Sequence, residues 1–148
     1  MSGSLSHSPA DIIQQLLIDL SLATDPVDSG SWPVFSANEP DSPDSLIVIY
    51  DTAGLTFGRI QRSGETCEHK GIQISVRGTD SEAAFNKIEA IATALDETVN
   101  KNYPTIGSSS YIVYSVNRQS GPIAAGREPG TNRMLFTLNA TVVLNQLS

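Results

Sequence analysis

Residues 71–98, GIQISVRGTDSEAAFNKIEAIATALDET, constrain the fold of this chain more than any other stretch. Ile72, Ile74 and Val76 alternate with Gln73, Ser75 and Arg77. A period of two puts the apolar side chains on one face of a strand and the polar ones on the other. Gly78 breaks the strand, and Thr79-Asp80-Ser81-Glu82 follows as a capping-box pattern. In such a box the Thr79 oxygen accepts the N–H three residues on and Glu82 reaches back. Ala84, Ile88, Ile91, Leu95 and Val99 then recur at helical spacing, with Phe85 and Ala92 widening the stripe. A helix of about 20 residues is about 30 Å long, enough to cover one face of a small sheet.

Upstream, Ser8-Pro9-Ala10-Asp11 reads as a helix start, with Ser8 at the N-cap and Pro9 at the first helical position. Ile12, Ile13, Leu16, Leu17 and Leu20 form its apolar stripe. The helix is expected to end near Ala23, because Pro26 disfavours helical geometry at Asp25. Residues 1–7 are expected to be a tail. Trp32–Phe35 reads as a short strand that Pro33 demotes to an edge. Leu46–Tyr50, rich in β-branched residues, reads as a central strand buried on both faces. With a Pro-rich, acidic turn between them, a hairpin is the natural pairing. Asp51–Lys70 has no sustained period and is expected to be an extended arm. A loop of that length usually has a use; catalysis, ligand gating and contact with a neighbouring subunit are all open.

Downstream, Asn102–Ser110 reads as a loop. Tyr111–Arg118 alternates, with Ile112, Tyr114 and Val116 on one side and Tyr111, Val113 and Ser115 on the other. Gln119–Asn132 carries three Gly and two Pro and is expected to be a long exposed loop. Arg133–Gln146 is the longest strand: Met134, Phe136, Leu138, Ala140, Val142 and Leu144 face one way. The predicted fold is α+β, one mixed, mostly antiparallel sheet with two helices packed on one face and long loops. The opposite face, with Gln73, Ser75, Arg77, Thr137, Asn139 and Thr141, is left to solvent or to a partner.

At 148 residues the chain fits one domain, 1–148. A single Cys allows no internal disulfide and points to a reducing compartment. No apolar run approaches the roughly 18 residues of a membrane span, and the Ser-rich start is unlike a signal peptide. The net charge of −7 is unevenly spread: −8 over residues 1–58, −2 over 59–100 and +3 over 101–148. The acidic total argues against tight binding to nucleic acid or anionic membrane. The polarity suggests a subunit with opposite faces; solvated loops that happen to be acidic are the plain alternative.

No catalytic constellation emerges. Cys67-Glu68-His69 sets a thiol, an acid and an imidazole together, but neighbours on an extended chain point apart and no second ligand cluster exists. Residues 121–130 are Gly-rich yet lack the Gly-Lys-Ser/Thr of a phosphate loop. Asn139-Ala140-Thr141 matches a glycosylation acceptor but falls in a predicted strand. Asp41, Asp44 and Asp51 do not have EF-hand spacing. No catalytic, cofactor-binding or metal residue is assigned, which moves the weight towards a structural or binding role.

Several segments together resemble a known family. They are His7-Ser8-Pro9-Ala10 before a Leu/Ile-rich helix, Val48-Ile49-Tyr50-Asp51-Thr52-Ala53-Gly54, and the strand Gly71–Gly78 opening a long helix. Residues 121–127, GPIAAGR, and the final Leu138-Asn139-Ala140-Thr141-Val142 complete the set. Nearly the whole chain is similar to the tail terminator (tail completion, or minor capsid) proteins of long-tailed bacteriophages. The resemblance implies a structural virion protein and not an enzyme. It implies a hexameric ring on the head-proximal end of the tail tube, which stops tube growth and presents a surface for head attachment. The implied partners are other copies of the chain, the tube protein and a head-completion or connector protein. Genomic DNA would only pass through the lumen. No membrane and no cofactor are implied; the protein would sit in the neck region of the virion tail and be assembled in the host cytoplasm. Another neck protein, tube-like or head-closing, is the near alternative; a small-ligand or enzymatic α+β domain is the distant one.

Ring neighbours must meet through two different patches. The sequence offers an acidic one, Asp25, Asp28, Glu39, Asp41 and Asp44, and a basic one, Arg118, Arg127 and Arg133. Asp41 and Asp44 of one subunit are expected to face Arg118, Arg127 and Arg133 of the next. Arg127 and Arg133 are expected to lie in or beside an exposed loop, so that reversing them leaves the subunit folded.

Overall fold

A computed structural model describes residues 6–28, 30–37, 39–40, 44–52, 68–97, 99–102, 104–119, 121–127 and 133–146. The predicted arm therefore lies largely outside the described residues, as do Asp41, Cys67 and the end of the Gln119–Asn132 segment.

Helix α1 spans Pro9–Asp19. Ser8 is its N-cap, its side chain accepting from the Asp11 N–H, and Pro9 takes the first position as expected. The helix stops earlier than predicted, at a cap on Leu20, because Ser21 adopts a left-handed backbone (φ 62°) that no helix can continue. Strand β1 (Val34–Ser36) follows, then β2 (Leu46–Thr52). They pair in parallel, with Val34 beside Ile47, so the predicted hairpin is wrong. Parallel neighbours usually need a crossover of a dozen or more residues. A three-residue β1 shortens the return journey. Ala37 turns the chain at φ 58° while its N–H still reaches the Ile49 carbonyl at 2.8 Å.

Strand β3 (Glu68–Gly78) runs antiparallel to β2 and to the last strand, β8 (Met134–Gln146). Its register sets Ile47 beside Val76 beside Phe136, and Ile49 beside Ile74 beside Leu138. These are the apolar residues of one face. Helix α2 (Ser81–Asp96) packs on that face together with α1, and Ala84, Ile88, Ile91, Ala92 and Leu95 are buried there. Its N-cap is Asp80, which accepts from the Glu82 N–H, in place of the expected Thr79. The helix ends at Asp96, not beyond Val99, which opens β4 (Val99–Asn102). Phe85 is 43% exposed and leaves the buried stripe, yet its ring stands edge-on to Phe136 with 5.8 Å between centroids.

The predicted loop at 102–110 holds the end of β4, the two-residue β5 (Thr105–Ile106) and a tight turn at Gly107 into β6 (Ser109–Arg118). In β6 the simple alternation fails. Val113 pairs Leu144 and Ser115 pairs Val143, so Tyr114 is an extra residue in a bulge. The bulge brings Tyr111, Val113 and Val116 onto the helix-covered face, and all three are buried in the core. Strand β7 (Ile123–Arg127) occupies part of what reads as a long loop, and pairs only with the first residues of β8. The path across the sheet is β1-β2-β3-β8-β6-β4, with β7 continuing the line of β6 along β8. The sheet is mixed, with one parallel pair, and the domain is α+β.

Candidate interaction surfaces

The face of the sheet away from the helices is less open than its polar residues suggest. Arg77, on that face of β3, is only 2% exposed. Its Nη2 donates to the Pro40 carbonyl at 2.8 Å and its Nε to the Asp44 carbonyl at 3.3 Å, and Glu39 lies 3.9 Å away. Nearby, Arg133 is 5% exposed, and its Nη1 donates to Asp44 Oδ1 at 3.3 Å. Two buried guanidinium groups thus grip the return from β1 to β2 through its carbonyls and an acid. This corrects two expectations: Arg77 is not open to solvent, and Arg133 is not an exposed loop residue. Leu46, Val48 and Ser75 are buried on the same face. Tyr50 is close enough to have its phenol pKa raised, first by desolvation and then by the charge of Glu39.

The predicted interface residues separate in space. Asp44 and Arg133 meet within one subunit, 89 positions apart in the chain. Arg118 holds Asp96 at the end of α2 with two bonds, Nη2 to Oδ2 at 2.6 Å and Nε to Oδ1 at 2.9 Å. That hydrogen bond raises the Arg118 pKa, with Glu89 adding to it. The pair borders a shallow, open groove lined by Val116, Asn117, Gln119 and Gly121. The Arg127 backbone stands beside Met134 at the end of β7. Asp41 lies outside the described residues.

Acidic groups collect on the helix layer: Asp11 and Asp19 on α1, Glu82, Glu89 and Asp96 on α2, and Asp25, Asp28 and Asp80 in adjoining turns. Lys87 is the basic residue on these two helices and is turned inward. Its Nζ donates to the Leu22 carbonyl at 3.0 Å and sits 5.6 Å from the Trp32 ring centroid, and burial lowers its pKa. Ser6 and His7, placed by the sequence in a tail, are bound to the end of the sheet. The Ser6 N–H donates to Gln146 Oε1 at 2.9 Å, and His7 Nδ1 is 2.6 Å from the hydroxyl of the buried Tyr111. No signal in the sequence links His7 to Tyr111, or Arg133 to Asp44, because each pair is made by tertiary packing.

Two of the sheet's edges, at β1 and at β7, differ; β4 is the end strand beyond β6. At β1 the Val34 carbonyl accepts Gln14 Nε2 at 2.8 Å, and the Val34 N–H donates to Thr24 O at 3.1 Å. At β7, among the described residues, no backbone bond reaches the side away from β8. Ile123 is 48% exposed there, on the face opposite Phe85. Among the described residues no group of three His, Cys, Asp or Glu is placed to hold a metal ion, and no helix is long and apolar enough to cross a membrane.

What the chain presents is therefore a small α+β domain with unlike edges and an acidic helical layer. Comparison with protein families gives the class a name. The family described as "Bacteriophage tail terminator protein" matches residues 16–146, from the middle of α1 to the end of β8, and the chain belongs to that family. It is a structural component of a phage tail, in a family whose members meet tail and head proteins in the virion. No match is found among curated proteins.

Proposed function

We propose that six copies form a ring on the head-proximal end of the tail tube, where the ring stops tube growth and offers the surface to which the head attaches. The family match over 16–146 is the observation that carries this reading. The unlike edges support it. A ring closes through head-to-tail contacts, which need two different patches on each subunit, and here Val34 of β1 is hydrogen-bonded on its outer side, while among the described residues no backbone bond reaches the outer side of β7. Assembly takes place in the host cytoplasm, DNA crosses the lumen without sequence-specific contacts, and the ring sits at the neck.

The charge contact between neighbours remains part of the proposal, with a changed cast. Asp44, Arg118 and Arg133 hold partners inside the subunit. We keep Asp25, Asp28 and Asp41 on one side and Arg127 on the other as the charges that steer neighbours together. Each such exposed pair contributes about 0–1 kcal/mol, so apolar contact supplies most of the affinity.

Negative-stain imaging of tails made with and without the protein tests the role. Loss of the protein is expected to give overlong tubes or tails without heads. Tails of normal length that still join heads would overturn the reading.

A further inference from the structure

The open edge has a particular chemistry. On the helical side of β7, Ala124 is exposed beside Phe136, and Phe85 lies half-exposed on the Phe136 ring. Glu82 and Glu89, three residues before and four after Phe85, flank it on the same side of α2. Among the described side chains the base beside this stripe is Arg118, already bound to Asp96 and close to Glu89. On the other side of β7, Ile123 is exposed. Free backbone groups with apolar side chains on both faces are what an extended segment adds to. The acids call for a segment that carries bases next to its apolar residues. The β1 edge of a second copy is not that segment: Val34–Ser36 carries no base, and the outer N–H and carbonyl of Val34 are taken by Thr24 and Gln14.

We infer that β7, with Phe85 and its two flanking glutamates, is the docking site for residues 53–67 of a second copy of this chain. The inference rests on the ring reading and names one contact within it. Residues 53–67 include Leu55, Phe57, Arg59, Ile60 and Arg62, with Glu65 as the one acid. Apolar and basic side chains are interleaved there, complementary to Phe85 between Glu82 and Glu89. Reach selects the neighbour over the same subunit. The segment joins Thr52 to Glu68, and Glu68 pairs Leu144, whereas β7 pairs Met134 to Thr137 at the other end of β8. Thr52 pairs Gly71, level with Thr141, so a strand laid along all of β7 would run about seven positions out to the level of Met134 and about ten back to that of Leu144, about 58 Å at 3.4 Å each, before it crosses β3 and β8. The sixteen steps from Thr52 to Glu68 extend to at most about 53–58 Å. A subunit's own segment cannot lie along its own β7; that of an adjacent copy can.

Two charge reversals and their combination test this, read as the concentration midpoint of assembly by sedimentation velocity. Glu82→Lys with Glu89→Lys alters partly or fully exposed helix positions, and is expected to raise the midpoint at least tenfold. Arg59→Glu with Arg62→Glu is expected to do the same. The four changes together are expected to restore most of the loss. A labelled peptide of residues 53–67 is expected to bind the wild-type chain, and to bind the Glu82→Lys, Glu89→Lys chain at least tenfold more weakly. Rings that form equally well in both double variants, or a combination worse than either, would overturn this contact and leave the ring reading standing. A wild-type chain that stays monomeric at all concentrations would overturn the ring instead. The peptide then decides for the site: selective binding supports it, and equal or absent binding overturns it.

Discussion

Asp51 Oδ1, near the end of β2, accepts the backbone N–H of Ala10 at 2.9 Å. Helix α1 is thereby capped twice at its start, by Ser8 from within the local sequence and by Asp51 from 41 positions away. The second cap also places a carboxylate at the positive end of the helix. Asp51→Ala is expected to lower stability by about 0.5–2 kcal/mol, whereas Asp51→Asn, which keeps an acceptor oxygen, is expected to retain more than half of it. Urea midpoints of the two variants settle the matter; equal losses would show that the negative charge, and not the hydrogen bond, matters.

The stripe of α2 lies against the sheet, and Ile88 and Leu95 are fully buried in the shared core. Leu95→Ala leaves a cavity between α2 and the strands, and is expected to cost about 2–5 kcal/mol. A denaturation midpoint unmoved by this change would mean that the core closes over the gap.

Arg133 and Arg118 make contrasting predictions although both are bases near β7. Arg133→Glu puts a carboxylate in a buried site next to Asp44, and is expected to cost more than about 3 kcal/mol. Arg118→Ala opens a solvent-exposed pair, and is expected to leave the thermal midpoint nearly in place. Circular-dichroism melts of both separate the two; an Arg133→Glu protein as stable as wild type would return that residue to the surface.

Alkaline stability follows from Tyr50 and Lys87, with opposite signs. The Tyr50 phenol holds its proton to higher pH when folded than its ordinary value of 10.0. Above that value the folded state binds more protons, so stability falls as pH rises towards the folded pKa. Lys87 releases its proton more readily when folded than its ordinary value of 10.5. Between its folded pKa and 10.5 the unfolded state binds more protons, so stability rises with pH. Relative to wild type, Tyr50→Phe is expected to gain stability on going from pH 10 to 11. Lys87→Met is expected to lose ground as pH approaches 10.5. Equilibrium unfolding at several pH values reads both, and parallel curves for wild type and variants would remove the linkage.

The parts of this fold that were legible from sequence are those whose signal is local. The alternation of Ile72, Ile74 and Val76, the long alternation of β8, and the periodic Ala84-Ile88-Ile91-Leu95 stripe each specify an element and its buried face. The parallel seating of β1 against β2 was not legible, because strand direction is set by contacts between segments. The bulge at Tyr114 defeats a strict period of two, although Val113 and Val116, three apart and both β-branched, mark it in hindsight. Strand β7 hid behind Gly126, whose φ of 96° suits a bulge as readily as a loop. For the surfaces, alternation located Arg77 on the polar face, but only the folded chain brings Pro40 and Asp44 over it. The charged residues were visible; their partners were not.

Gln14 has a consequence for how such a protein survives its own production. A strand edge with unmet hydrogen bonds is a template for disordered, amyloid-like stacking. One side-chain amide, held at 2.8 Å on Val34 O, occupies an acceptor that a stray strand would need. Replacing it with Leu would keep the helix and uncap the edge, and the damage would be seen as lost soluble yield and thioflavin-positive aggregate, well before any change in the melting point of the protein that did fold.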